Sequence, residues 1–134
     1  MPIYLLDTNA ISDLMADQPR AKAKVASQPG QLVTSVIVRG EILYGLERLP
    51  PGKRRAKVKA KADLVLAGLA CEPVVEAAAD HYARIRRAVE NLGLSVDDND
   101  LWIAATVLTI GAVLVSRDKD FGQVPGLQVE DWTQ

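Results

Sequence analysis

Apolar and polar positions alternate in blocks along this chain, and the period changes from block to block. Ile3-Tyr4-Leu5-Leu6 is a continuous apolar run that stops at Asp7-Thr8-Asn9. Such a run fits a strand covered on both faces. Thr8–Met15 and Arg20–Ser27 read as short helices, the second ended by the turn signal Gln28-Pro29-Gly30. Leu32–Thr34 reads as a strand, with Ser35 placed to cap the helix after it. In that helix Val38, Ile42, Leu46 and Leu49 recur at helical spacing, and Pro50-Pro51-Gly52 stops it. A long helix is predicted over Lys53–Leu69 and a short strand over Pro73–Val75. Ala77–Asn91 reads as a helix closed by Gly93, and Asp98–Ile110 as another with Gly111 past its end. Ala112–Ser116 and Leu127–Val129 read as the last strands. Strands separated by helices imply a parallel sheet with helices on both faces. No repeat, low-complexity tract or linker divides the pattern, so residues 1–134 are expected to form one α/β domain.

Composition narrows this picture a little. Hydrophobic residues make up 49% of the chain, enough for a core, and each long apolar stretch is broken by a polar residue or Gly. No segment therefore reads as membrane-spanning, and the N-terminus has neither the basic region nor the cleavage site of a secretory signal. The one cysteine, Cys71, cannot form an internal disulfide and is expected to pack as a small hydrophobe. These features are those of a soluble cytoplasmic protein. The formal net charge of −1 points to no particular partner.

The topology makes a sharper promise. Ligands of open α/β sheets bind beyond the carboxyl ends of the strands. Asp7 ends the first strand and Asp118 follows the strand 112–116, so the two acids can converge. Glu41 lies one helical turn before Gly45, a residue that leaves room. Asp100 shares a helix face with Ile103, Ala104 and Val107, an apolar face that should turn inward. An inward carboxylate needs a metal, a cation or a shared proton. Each acid also has an ordinary reading: a strand terminator for Asp7, a solvated helix residue paired with Arg48 for Glu41, a helix cap for Asp100, and a turn acid for Asp118. His81, the single histidine, falls on a helix and is expected to be structural or exposed. No Cys/His cluster and no Gly-rich phosphate loop is present.

Four stretches carry a family resemblance: YLLDTNAIS (4–12), TSVIVRGEILYGLERLP (34–50), DNDLWIAATVL (98–108) and VSRDKDF (115–121), with VPGLQVEDW (124–132) in the tail. Together they resemble a PIN domain, and closely the VapC-type toxin ribonucleases of bacterial toxin–antitoxin pairs. The Glu-Ile-Leu-Tyr-Gly block followed by basic residues is similar to the FitB-like branch. The resemblance implies a three-layer α/β/α sandwich with a five-stranded, mainly parallel sheet. It implies that Asp7, Glu41, Asp100 and Asp118 are the acidic quartet that holds divalent metal. Asp120, two positions beyond Asp118, could share or replace its role. Asn9 and Ser116 match polar positions that support the carboxylates.

The chemistry of these residues agrees with that. Hard carboxylate oxygens without thiolate or imidazole select Mg²⁺ or Mn²⁺ over zinc. An ion held there would lower the pKa of a bound water and stabilise charge on a phosphate. The sequence does not count the ions. The expected reaction is hydrolysis of RNA phosphodiesters, leaving a 5′-phosphate and a 3′-hydroxyl as the family resemblance implies. With the four acids set aside, the net charge of −1 becomes +3 for the rest of the chain. Lys53, Arg54, Arg55, Lys57, Lys59 and Lys61 crowd the start of one helix, Arg84, Arg86 and Arg87 form a second cluster, and Arg117 and Lys119 flank Asp118. Either cluster can be a solvated face or can track phosphates. The resemblance also implies a cognate antitoxin, VapB-like, whose C-terminal segment enters an apolar groove beside the acids. A homodimer is expected through Tyr82, Ile85, Val89, Trp102 and Val107. The rival readings are another Mg²⁺-dependent phosphohydrolase or phospho-acceptor domain, and a catalytically silent PIN-like binding module.

Overall fold

The computed structural model describes all 134 residues. Five strands, β1 (Ile3–Leu6), β2 (Gln31–Ser35), β3 (Ala70–Glu72), β4 (Val113–Val115) and β5 (Val129–Glu130), form one sheet in the order β3-β2-β1-β4-β5. Every pairing is parallel. Six helices, α1 (Thr8–Met15), α2 (Pro19–Ser27), α3 (Val36–Glu47), α4 (Lys53–Ala67), α5 (Glu76–Asn91) and α6 (Asp98–Ile110), connect them, and a 3₁₀ turn spans Lys119–Gln123. The expected doubly covered parallel sheet is therefore what the chain builds. Its order reverses at β1, whose two neighbours leave in opposite directions, so the crevice for ligands opens at the carboxyl ends of β1, β2 and β4.

Local chemistry explains the element boundaries. Ser35 Oγ accepts the Val38 amide at 3.2 Å and caps α3 as expected. Gly111 ends α6 with φ of 67°, a left-handed conformation that suits glycine. Val38, Ile42 and Leu46 are buried along α3, and Ala62 and Leu66 along α4. Leu5, Leu6, Ile11, Val33, Ile103, Leu114 and Phe121 are sealed in the main core. Tyr4 packs against Trp132 with ring centroids 5.2 Å apart, so the C-terminal tail closes over the sheet.

Three expectations are corrected. The third strand is Ala70–Glu72, not Pro73–Val75. Residues 70, 71 and 72 lie opposite Val33, Thr34 and Ser35, and Pro73 has no amide to extend the ladder. Cys71 is consequently exposed on the edge strand and does not pack as a hydrophobe. Ile85 and Val89 are buried where α5 meets α6, and Val107 is sealed in the main core, so they offer nothing to a second copy. Tyr82 stacks on Trp102 with centroids 3.9 Å apart, leaving that aromatic pair half-buried.

Candidate active site

The carboxyl ends of β1 and β4 are stitched together by Asp7. Its amide donates to the Val115 carbonyl at 3.0 Å, and its side chain is only 4% exposed. Ser116 Oγ donates to Asp7 Oδ2 at 2.9 Å, and Asn9 Nδ2 reaches the same oxygen at 3.3 Å. Asn9 Oδ1 accepts the Arg117 amide at 3.2 Å. Ser116 Oγ also accepts the Asp118 amide at 3.1 Å. Asn9 and Ser116 thus fix one acid and set the loop that carries another. Asp118 Oδ1 accepts the Asp120 amide at 3.0 Å, starting the 3₁₀ turn.

The remaining acids come from helices. Glu41 on α3 is half-buried, and Thr8 Oγ1 donates to its Oε1 at 2.6 Å. Arg48 does not pair with Glu41; its guanidinium lies over Tyr44, 5.7 Å from the ring centre. Asp100 projects from the first turn of α6, half-buried, while Ile103, Ala104 and Val107 on its face are sealed. The helix cap is Asp97, whose side chain accepts the Asn99 amide at 3.2 Å.

Electrostatics shows that these acids share one neighbourhood. Burial raises the Asp7 carboxyl above its ordinary value, opposed by hydrogen bonds from the Thr8 amide and Ser116 and reinforced by Glu41 and Asp118. Asp100 is raised to about 7, first by burial and then by the charges of Asp7, Asp118, Asp97 and Glu41. Asp7, Glu41, Asp100 and Asp118 therefore feel one another's charge. Asp120 is exposed, and its amide is held by Asp118. Thr8 is the neighbour that pattern reading passed over. Thr8 follows Asp7 directly, and a hydroxyl beside a strand-end acid is the signal that marks it.

No Lys or Arg forms an ion pair with any of the four acids. Carboxylate oxygens crowded without a cation fit a hard divalent ion, which relieves both the burial cost and the mutual repulsion. As placed, no three of them are close enough to share one ion.

The basic groups differ in their freedom. Lys53, Arg54 and Lys57 are exposed and unpaired, whereas Arg55 meets Glu47 at 3.2 Å. Arg117 Nε donates to Asp13 at 3.1 Å and is directed toward α1. Arg86 pairs with Glu90 at 3.5 Å and Asp98 at 3.6 Å, and Arg87 with Glu90 at 3.4 Å, so that cluster is largely neutralised within the fold. No helix is long and apolar enough to cross a membrane.

A family model described as PIN domain matches residues 4–127. Ribonuclease VapC1 of Haemophilus influenzae (strain R2866) is 31% identical over 137 residues, covering 98% of this chain and 99% of the relative. The structure of VapBC2 from Rickettsia felis bound to a DNA fragment from their promoter is similar at a TM-score of 0.85 and 26% identity, covering 97% and 98% of the two chains. FitAcB from Neisseria gonorrhoeae is similar at 0.80 and 28%, covering 96% and 97%. With the family model matching residues 4–127 and a relative 31% identical over nearly the whole of both chains, the chain belongs to the PIN-domain family, within its group of VapC ribonucleases.

Proposed function

We propose that this protein is a Mg²⁺- or Mn²⁺-dependent endoribonuclease and the toxin of a toxin–antitoxin pair. The observation that carries the reading is the convergence of Asp7, Glu41, Asp100 and Asp118 at the ligand-binding end of the sheet, with Asp100 held near neutrality at about 7. A bound divalent ion would supply an activated water and charge stabilisation at the scissile phosphate. Asp7 and Asp100 are the central ligands, and Glu41 and Asp118 complete the set. Ser116 and Asn9 aim Asp7, and Thr8 aims Glu41. Lys53, Arg54 and Lys57 give an RNA backbone a positive approach to an acidic centre. Arg55 and Arg117 are held by Glu47 and Asp13 and contribute through their field rather than by direct pairing with phosphates.

The similarity to VapBC2 and FitAcB supports a VapB-like antitoxin as partner. Its seat is an apolar groove of about 340 Å³ between α1, α2 and α4, lined by Leu14, Val25, Leu32, Val65 and Leu69 and reaching Leu6, next to Asp7. An Arg or Lys from that partner, placed among the acids, would compete with metal and exclude RNA together. The deciding experiment is cleavage of RNA by partner-free protein in Mg²⁺ and in EDTA, with mapping of the new 5′ ends. Cleavage that persists in EDTA, or none in either, would overturn the reading. Co-purification from the native operon should give an inactive complex.

A further inference from the structure

A second depression adjoins the acids and has no role in the chemistry above. It lies between α1, α3 and α4, holds about 280 Å³, and is bounded by Thr8 and Glu41 at one end and by Met15, Leu46 and Val58 at the other. This volume approaches the lower end of small-ligand sites, roughly 300–1,000 Å³. Gly45 stands one turn beyond Glu41 in its wall, and a Cβ built on Gly45 meets nothing within 4 Å. The missing side chain is therefore open space inside the groove. A glycine in a helix interior costs roughly 0.5–1 kcal/mol against alanine, so its presence here is a local sacrifice. On the far rim, Val58 sits on α4 between exposed Arg54, Lys57 and Lys61, none of them in an ion pair.

The order along the surface is then carboxylate cluster, apolar slot, free cations. A polyanion with flat apolar side groups matches that order. Its reacting phosphate lies at the acids, its next phosphates at α4, and a ring must lie between. Resting on the ribonuclease reading, we infer that the Gly45 groove receives one unstacked nucleobase next to the scissile phosphate, and that the substrate is single-stranded there. A base in a duplex could not leave its stack to enter a slot set among three helices without the cost of unpairing. Ser12 on the polar rim faces the edge of such a base, and the aliphatic floor faces its ring.

The test uses the full chain free of any partner, with Gly45→Leu to fill the slot and Gly45→Ala to show that the helix tolerates a Cβ. The substrates are a degenerate single-stranded RNA pool and, once a cleaved sequence is known, oligonucleotides abasic on one side or the other of the cut. Gly45→Leu should lower kcat/KM on intact RNA about 10- to 100-fold, the stacking contribution of one base. It should cut the correct abasic oligonucleotide as fast as the parent protein does. The parent protein itself should lose a similar factor on that abasic substrate. If the parent protein cuts RNA and Gly45→Leu cuts it at the same rate and the same sites, the groove does not take a base. If Gly45→Leu keeps full cleavage and loses only its antitoxin, the groove belongs to a protein partner, and the inference is equally overturned. If the parent protein cuts no RNA in Mg²⁺ or Mn²⁺, the ribonuclease reading itself has failed and takes this one with it.

Discussion

Ser116 Oγ donates to Asp7 Oδ2 at 2.9 Å while accepting the amide of Asp118 at 3.1 Å. One hydroxyl therefore links the acid at the end of β1 to the loop that presents the acid after β4. Its two lone pairs face the Asp118 amide and the Asn9 side-chain amide nitrogen, which leaves its hydrogen for the Asp7 carboxylate. If Asp7 and Asp118 hold metal as proposed, this buried serine supports them in the same sense as the outer-shell partners of known metal ligands.

Ser116→Ala should therefore weaken divalent-ion binding about 10- to 100-fold, as outer-shell losses do. Ser116 is only 3% exposed and bonds a carboxylate, so the variant should also lose about 1–3 kcal/mol of stability. Calorimetric titration with Mn²⁺, alongside urea unfolding, checks both. Unchanged affinity would reduce Ser116 to a loop residue.

Asp7→Asn should abolish metal-dependent cleavage while the fold persists. Asp7 is buried and its carboxyl is raised, first by burial, so an uncharged isostere removes a cost that the folded protein carries at neutral pH. Metal-free Asp7→Asn is thus expected to unfold no earlier than the parent protein. Cleavage at the parent rate would remove Asp7 from the site.

Replacing Lys53, Arg54 and Lys57 with Ser should weaken RNA binding and flatten its salt dependence, by about 0.7 in the log–log slope for each single-strand phosphate that is no longer neutralised. Arg55 is left in place because its pair with Glu47 makes its removal a structural change as well. Fluorescence anisotropy across a salt series measures the slope. An unaltered slope would make this a solvated face.

How much of this was legible before the structure depends on which physical rule governed each residue. The strand-end acids Asp7 and Asp118 follow from strand pattern alone, since a covered parallel strand is a recognisable apolar run. Asp100 was legible because Ile103, Ala104 and Val107 disclose the buried face of α6, and all three are sealed. Glu41 was ambiguous, because its partner Thr8 lies 33 residues away and no local pattern reports it. The third strand was misplaced because β3 is short and exposed on the edge, so pairing to β2 rather than hydrophobic pattern sets its register. The surface arginines read as one positive cluster, but Arg86 and Arg87 are matched by Glu90 and Asp98, which only helix geometry and the α5–α6 packing bring near.

The same packing moves the expected dimer face. With Ile85, Val89 and Val107 internal, the large apolar groups left outside are Met1, Leu64 (79% exposed), Val75, Leu92 and Leu94 on other elements, and Val36 (43%), Leu43 (37%) and Tyr44 (65%) together on α3. A homodimer should use that face and bring two acidic sites together. Light scattering at micromolar concentration should give twice the monomer mass, and Leu43→Lys with Tyr44→Lys should return it to a monomer. A strictly monomeric parent protein would count against the assembly, and a dimer unaffected by both substitutions would place the interface elsewhere.

Asp100 supplies the dependence on pH. Its carboxyl titrates at about 7 in the folded protein and near the ordinary aspartate value of about 3.9 when unfolded. Between those values the folded chain holds a proton that the unfolded chain has released. Stability of the metal-free protein must then fall as pH rises from about 4 through about 7, and no further change from this group is expected above. Asp100 is half-buried and solvent screens its neighbours, so the loss is expected to be about 1–2 kcal/mol rather than the full value of the shift. Asp100→Asn has no proton to release. It should already exceed the parent protein slightly at pH 5, about one unit above the unfolded value, and by more at pH 8. Saturating Mg²⁺ should flatten the slope of the parent protein, because the ion takes the place of the proton. Urea unfolding at pH 5, 6, 7 and 8, in EDTA and then in Mg²⁺, measures all of this on the two proteins. Parallel stability curves for the parent protein and Asp100→Asn in EDTA would show that Asp100 titrates as an ordinary surface acid, and would take it out of the cluster.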